Sequence, residues 1–280
     1  MSSQPLQLRC RDKTVDLTHP VVMGVLNVTP DSFSDGGRFF DAGAAVRHGL
    51  RMSEEGAAFI DVGGESTRPG AEPVGVQEEL RRVIPVIEGL VGATPAVISV
   101  DTSKPEVMRA AAAAGAGLIN DVRALREPGA LAVAHSSGCA VCLMHMQGEP
   151  RTMQAAPAYR EVVSEVRAFL AERALACRAA GFSADRLVLD PGFGFGKTLE
   201  HNLALLRHLR ELGTDGLPLM VGLSRKSMVG KLIGRPEGRR LLGSVVLAVM
   251  AALAGARIVR AHDVADTVEA LKLVAVIRES

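Results

Sequence analysis

The chain has 280 residues, 48% hydrophobic and 22% charged, with 32 Lys and Arg against 31 Asp and Glu. That composition excludes intrinsic disorder, and a formal charge of +1 lacks the basic excess of a dedicated nucleic-acid binder. With 3% aromatics and no Trp, it also lacks a base-stacking platform.

Residues 4–17 alternate around Arg11, Asp12 and Lys13, with Leu6, Leu8 and Cys10 on one arm and Val15 and Leu17 on the other. This predicts a β-hairpin closing the bottom of the following unit. The same charges interrupt any early apolar run, so no signal peptide is expected. A repeating pattern then begins: a short apolar run, polar or glycine-rich punctuation, and a helical stretch. The runs are Val21–Val28, Phe59–Gly64, Ala96–Asp101, Leu118–Val122, Ala140–His145, Leu187–Pro191, Leu219–Ser224 and Ile258–His262. The helices are expected near Ala42–Glu55, Val76–Leu90, Pro105 to Gly115, Gly129–Ser136, Tyr159–Ala180, Leu199–Leu212, Leu241–Ala254 and Asp263–Ile277. The uncharged stretch Leu241–Ala256 is shorter than the ~20 residues of a membrane span. Its Ala and Gly suit a helix packed inside the protein.

Continuous β-branched runs suit strands buried on both faces, and strand–helix alternation implies parallel strands. Eight units predict an α/β fold, a (β/α)8 TIM barrel with a short N-terminal β-hairpin. An open doubly wound sheet accommodates the same alternation. No linker divides the chain, so residues 1–280 are expected to form one domain, 1–20 the hairpin and 21–280 the barrel. Four Cys in this length do not make a disulfide scaffold. The expectation is a cytoplasmic enzyme with no membrane or nucleic-acid partner.

Barrel chemistry sits at the C-terminal strand ends. In order these carry Asn27, Glu65, Asp101, Asn120 with Asp121, His145, Asp190, Ser224 with Lys226, and Arg260 with His262. Asp101, Asn120 and Asp190 each follow apolar strand residues directly. Carboxylates accept paired N–H groups and an amide gives and takes, which suits a flat, donor-rich heterocycle. Arg260, His262 and Lys226 gather positive charge on the last two units, where barrels often bind phosphate. Pairing of Arg260 with a mouth carboxylate is the competing reading. Lys is scarce, 6 against 26 Arg, which makes Lys226 informative.

Several patterns fail. Pro191–Thr198 resembles a phosphate loop, but Pro191 stands where the motif needs Gly, and the glycine spacing misses the dinucleotide fingerprint. A tight glycine turn that lets backbone approach a ligand is the better reading. Cys139 and Cys142 form a lone CxxC, but three residues apart on a strand they face opposite ways, so core packing is expected. His19, His48, His135, His201 and His208 read as surface or packing residues. Met144 adjoins the mouth and can line a flat ligand.

Together these segments resemble the bacterial dihydropteroate synthases, a pterin-binding TIM-barrel family. The matching stretches are Met23–Gly37, Asp61–Gly70, Ser99–Pro105, Ile119–Val122, Met144–Met146, Asp190–Gly196, Gly222–Ser227 and Arg260–Val264. They run in family order across nearly the whole chain. Ala261 is the one small departure. The resemblance implies condensation of 6-hydroxymethyl-7,8-dihydropterin pyrophosphate with 4-aminobenzoate to 7,8-dihydropteroate and pyrophosphate, in folate synthesis. It implies a pterin site of Asp101, Asn120, Asp190, Lys226, Met144, Phe195 and Arg260. It implies that Asn27, Arg260 and His262 hold pyrophosphate, Asn27 through Mg2+. Phe33, Thr67, Arg68, Pro69 and Ser227 would meet aminobenzoate, and a homodimer is the family's usual assembly. Departure of pyrophosphate leaves a pterin methylene cation that Asp35 can offset, so a dissociative mechanism is expected, with Asp35, Lys226, Arg260 and His262 as catalytic residues. The alternatives are a folate–corrinoid type methyltransferase and a non-catalytic pterin-binding paralogue.

Overall fold

Strand side chains alternate between two faces, and in this chain both faces meet apolar surroundings. The computed structural model describes residues 6–29, 41–66, 72–149, 152–234 and 240–279. β1 (Gln7–Cys10) and β2 (Lys13–Asp16) form an antiparallel hairpin. The barrel strands are β3 (Val21–Asn27), β4 (Phe59–Gly63), β5 (Val97–Asp101), β6 (Leu118–Asp121), β7 (Ala140–Met144), β8 (Leu187–Asp190), β9 (Leu219–Gly222) and β10 (Ala256–Ala261). They close in the order β10-β3-β4-β5-β6-β7-β8-β9, with every recorded pairing parallel. Closure excludes the open doubly wound sheet.

Between the strands run α1 (Ala42–Glu54), α2 (Val76–Leu90), α3 (Pro105–Ala113), α4 (Ala130–Ser137), α5 (Val162–Ala179), α6 (Leu199–Arg207), α7 (Ser227–Ile233) and α8 (Leu241–Leu253), with α9 (Val264–Glu279) last. Outward strand residues such as Leu26, Ile60, Val100, Val141 and Val221 join the helices in one large core. Inward residues change character along the barrel. At the bottom Met23, Phe59, Val97, Leu118, Cys142, Val188, Met220 and Ile258 are apolar and pack with Leu8, Cys10 and Leu17 of the hairpin segment. The hairpin therefore plugs the barrel floor, as its alternation predicts. Above this layer the inward positions turn polar, so the open end carries the chemistry.

Cys139 lies in the outer core and Cys142 in the inner one, so the CxxC does divide between faces. Local capping shifts some helix ends. α5 begins at Val162, not Tyr159, because the Glu161 side chain accepts from the N–H groups of Val163 and Ser164. The stretch expected as Leu199–Leu212 divides into α6 and a 3₁₀ turn over Leu209–Leu212. The short α7 is an element the periodicity did not indicate. α8 is not enclosed by protein: Ser244, Leu247, Ala248, Ala251 and Ala252 face inward, while Leu242, Val246 and Met250 are exposed. No described helix is long and apolar enough to cross a membrane.

Candidate active site

Register sets which strand-end residues meet. Asn27 pairs with Gly63, Gly63 with Asp101, and Asp101 with Asn120, across four neighbouring strands. Gly63 carries no side chain, and a Cβ there would sit 3.7 Å from Asp101 Oδ2 and 3.9 Å from Asn27 Oδ1. One layer lower, fully buried Asp61 accepts from Ser99 Oγ at 2.5 Å, Asn120 Nδ2 at 2.9 Å and Arg260 Nε at 2.7 Å. Arg260 also donates from Nη2 to Asp101 at 2.8 Å. The competing reading of Arg260 therefore holds in this structure, with two carboxylates as partners. Burial pushes Asp101 up to about 7, against the pull of Arg260, while the Asp61 charge adds to the rise.

The opposite wall comes from β8 and the turn after it. The Asp190 carboxylate accepts from the Gly192 N–H at 2.7 Å, and burial raises its pKa. Lys226 donates to the Phe193 carbonyl and lies 4.5 Å from the centroid of the Phe195 ring. Burial brings Lys226 down to about 8, with Asp190 opposing that fall. Beside these groups Val122, Met144, Met146 and Met153 form a small buried cluster on which Phe195 packs. The mouth thus pairs a polar edge with an apolar, polarisable surface.

Other strand-end residues do not join this network. Asp121, one position beyond Asn120, has outward parity; it accepts from Ser103 Oγ and from the N–H groups of Arg123 and Leu125. His145 also has outward parity and meets buried Lys197, Nδ1 to Nζ at 2.9 Å. Burial and Lys197 hold His145 down at about 3, so it is neutral. Glu65 pairs with Lys104, which also reaches Glu79 at 2.5 Å. His262 meets Ser224 Oγ through its backbone N–H at 3.2 Å and through Nδ1 at 3.1 Å. Asn27 is half-buried at the rim, and Ser227 is exposed at the start of α7. Phe33, Asp35, Thr67, Arg68 and Pro69 lie outside the described residues. Among the described residues, no group of three or more His, Cys, Asp or Glu is placed to hold a metal.

Strand ends alone did not single out Asp61, because it sits two residues below the end of β4. The available signal was an acidic residue in the apolar strand Phe-Ile-Asp-Val-Gly, at an inward parity shared with Phe59.

The family model described as "Pterin binding enzyme" matches residues 23–262. The dihydropteroate synthase of Escherichia coli strain K12 is 54% identical over 269 residues, covering 96% of this chain and 95% of that one. A solved Xanthomonas albilineans dihydropteroate synthase with 4-aminobenzoic acid superposes with a TM-score of 0.93 at 53% identity, covering 99% and 100% of the two chains. Another structure of the enzyme from that organism, in complex with 7,8-dihydropteroate, gives 0.89 at 50% identity, covering 98% and 99%.

Proposed function

The chain belongs to the pterin-binding enzyme family, among its dihydropteroate synthases, and from that premise we propose how the residues of its barrel mouth divide the reaction. It is a transferase of folate biosynthesis that condenses 6-hydroxymethyl-7,8-dihydropterin pyrophosphate with 4-aminobenzoate to 7,8-dihydropteroate and pyrophosphate. Its substrates are small molecules.

Asp101, Asn120 and Asp190 take the donor-rich edge of the pterin, and Lys226 contacts the ring. Met144 and Phe195 pack against it, with Arg260 on its face. One juxtaposition carries this reading: a network joining Asp61, Asp101, Asn120 and Arg260 stands in the same mouth as Asp190, Lys226 and the methionine–Phe195 surface.

Pyrophosphate falls to Asn27, Arg260 and His262. Two Arg260 nitrogens already serve Asp61 and Asp101, so Nη1 is the one left to offer the anion. Donors fixed in advance on a developing negative charge lower the barrier without reorganising. Mg2+ fits as a companion of the substrate: it takes one or two protein oxygens together with phosphate oxygens and water, and Asn27 offers one amide oxygen. When bound, it would neutralise charge on the leaving pyrophosphate. The substitution is dissociative: the C–O bond to pyrophosphate breaks, the methylene cation is delocalised into the pterin, and Asp35 offsets it. The aromatic amine then attacks and gives up a proton. It is already neutral, so no strong base is required. Phe33, Thr67, Arg68 and Pro69 line the aminobenzoate subsite, and Ser227 meets its carboxylate.

The hairpin and the barrel floor share one apolar cluster, which supports a single domain over 1–280. Four buried free cysteines favour a reducing, cytoplasmic compartment. The exposed apolar side of α8 supports a homodimer.

The deciding experiment mixes purified protein with both substrates and Mg2+ and follows pyrophosphate and dihydropteroate. Stoichiometric formation of both, dependent on 4-aminobenzoate, is expected. Pyrophosphate release without aminobenzoate incorporation would mark a hydrolase instead.

A further inference from the structure

The glycine turn after β8 carries five consecutive backbone carbonyls, Gly192 to Gly196, and a side chain holds every one. Lys197 Nζ donates to Gly192 O at 2.9 Å and to Phe195 O at 3.0 Å. Lys226 donates to Phe193 O. Gln154 Nε2 donates to Gly194 O, and the Tyr159 hydroxyl donates to Gly196 O at 2.9 Å. Side chains fix two amides of the turn as well, Gly192 N by Asp190 and Gly194 N by Asn202 Oδ1 at 2.8 Å. Turns usually direct such carbonyls to solvent. The turn has one bond of its own, Phe195 N–H to Gly192 O at 3.1 Å, and with its carbonyls all bound by side chains it has lost that freedom.

Lys197 is the centre of this arrangement. It is buried, and besides the two turn carbonyls it touches His145 Nδ1 at 2.9 Å and His145 O at 3.3 Å. It therefore ties the end of β7 to the turn after β8. This is the lysine of the segment that resembles a phosphate loop. Its amino group, whose pKa burial pushes well down, faces peptide carbonyls, so the resemblance stops at the spelling. Gln154 and Tyr159 approach from the segment following β7, on the far side of the turn.

We propose that Lys197, assisted by Gln154 and Tyr159, is a positioning residue for pterin binding: it clamps the turn so that the Phe193 carbonyl and the Phe195 ring hold Lys226 in place in the mouth. The pathway is short and physical. Lys197 fixes Phe195 O; the Phe195 ring lies under Lys226; and Lys226 is bonded to Phe193 O two residues earlier. Without Lys197, Gly192 O keeps only the Phe195 N–H and the Phe195 carbonyl loses its donor, so that carbonyl must turn to water and the turn opens to admit it. Phe195 and Lys226 then lose a fixed place, although neither has been altered. Ser227, assigned to the 4-aminobenzoate carboxylate, directly follows Lys226, so a displaced Lys226 disturbs that subsite as well.

The inference rests on the assignment of Lys226 and Phe195 to the pterin, so the test separates the two. Three variants are compared by steady-state kinetics with both substrates and by thermal unfolding: Lys197→Met, which keeps the length but removes the donors; Tyr159→Phe, which removes one hydroxyl; and Lys226→Gln. The expected result is a folded Lys197→Met enzyme with KM for the pterin pyrophosphate raised at least tenfold, kcat lowered by much less than that, and a melting temperature within a few degrees of the unaltered protein's. Tyr159→Phe should shift the same constant by about threefold, again with a smaller effect on kcat. A folded Lys197→Met enzyme with unchanged pterin KM, or with kcat lowered as much as the pterin KM is raised, overturns the clamp. If Lys197→Met does not fold, Tyr159→Phe decides by the same criterion. If Lys226→Gln leaves the pterin KM unaltered, the assignment of Lys226 has failed and the clamp with it. If Lys226→Gln is impaired while Lys197→Met is not, only the clamp has failed.

Discussion

At the scale of single residues, the mouth holds two titrating groups of opposite sign close to neutrality. Asp101 is pushed to about 7 and Lys226 is brought down to about 8, burial being the first cause of both shifts. Asp101 accepts two N–H bonds only as a carboxylate, which requires a pH above about 7. Lys226 carries its charge only below about 8. Pterin affinity is therefore expected to be bell-shaped, with its maximum between these values and a fall on each side. Calorimetric titration from pH 5.5 to 9.5 measures this, and Asp101→Asn should flatten the acidic limb. A second expectation concerns Asp61, which lies one layer below Asp101 and joins Ser99, Asn120 and Arg260. Asp61→Ala leaves buried donors unpaired and should cost about 3 kcal/mol in urea unfolding. A third follows from the dissociative reading. Asp35→Asn removes the charge set against the methylene cation, so turnover should fall at least tenfold while the pterin dissociation constant stays within threefold. Normal turnover in that variant would sink the proposed role.

At the scale of elements, the turn after β8 shows how tightly backbone and site are interlocked. Gly192 has φ +68°, and a Cβ there would run into the His145 carbonyl oxygen at the end of β7. Left-handed backbone and a clash with main chain act together, so Gly192→Ala should destabilise the protein by about 2 kcal/mol or more. Thermal unfolding measures that loss, and the pterin KM should rise with it as β7 and β8 separate. The element pattern was legible in sequence because buried parallel strands are written as apolar runs and helices fill the gaps between them. The site was legible only as far as residue type and strand-end position reached. Asp101, Asn120 and Asp190 were found because polar residues directly follow apolar ones. Asp121 and His145 were grouped with them because strand ends were read without parity; one residue along, each points to the outer layer and serves a loop or a lysine. Asp61 was overlooked for the converse reason: its parity is inward, but it lies mid-strand. The role of Lys197 had no sequence signal at all, since its partners are carbonyls, which every residue carries.

At the scale of the whole molecule, the barrel presents one surface that its own chain does not cover. On α8, Leu242, Val246, Met250 and Leu253 recur at helical spacing and are 76%, 48%, 50% and 46% exposed. On neighbouring α9, Leu273 and Val276 are 65% and 66% exposed. α8 has no charged residue between Leu241 and Leu253, so this surface lacks the charges that keep a helix face solvated. A contiguous apolar surface of this kind marks an association site. A second copy is the occupant proposed, because two α8 stripes related by a twofold axis cover each other without any charge on that helix to satisfy. The stripe lies on the helices flanking β10, the strand that carries Arg260, so association would also brace the wall proposed to hold pyrophosphate. The double variant Leu242→Glu, Leu273→Glu places charges on both helices without touching the core. Sedimentation analysis should find the unaltered protein as a dimer and the variant as a monomer, and the monomer should unfold several degrees lower. A variant that sediments as the unaltered protein does would remove this face from the interface, whatever the assembly.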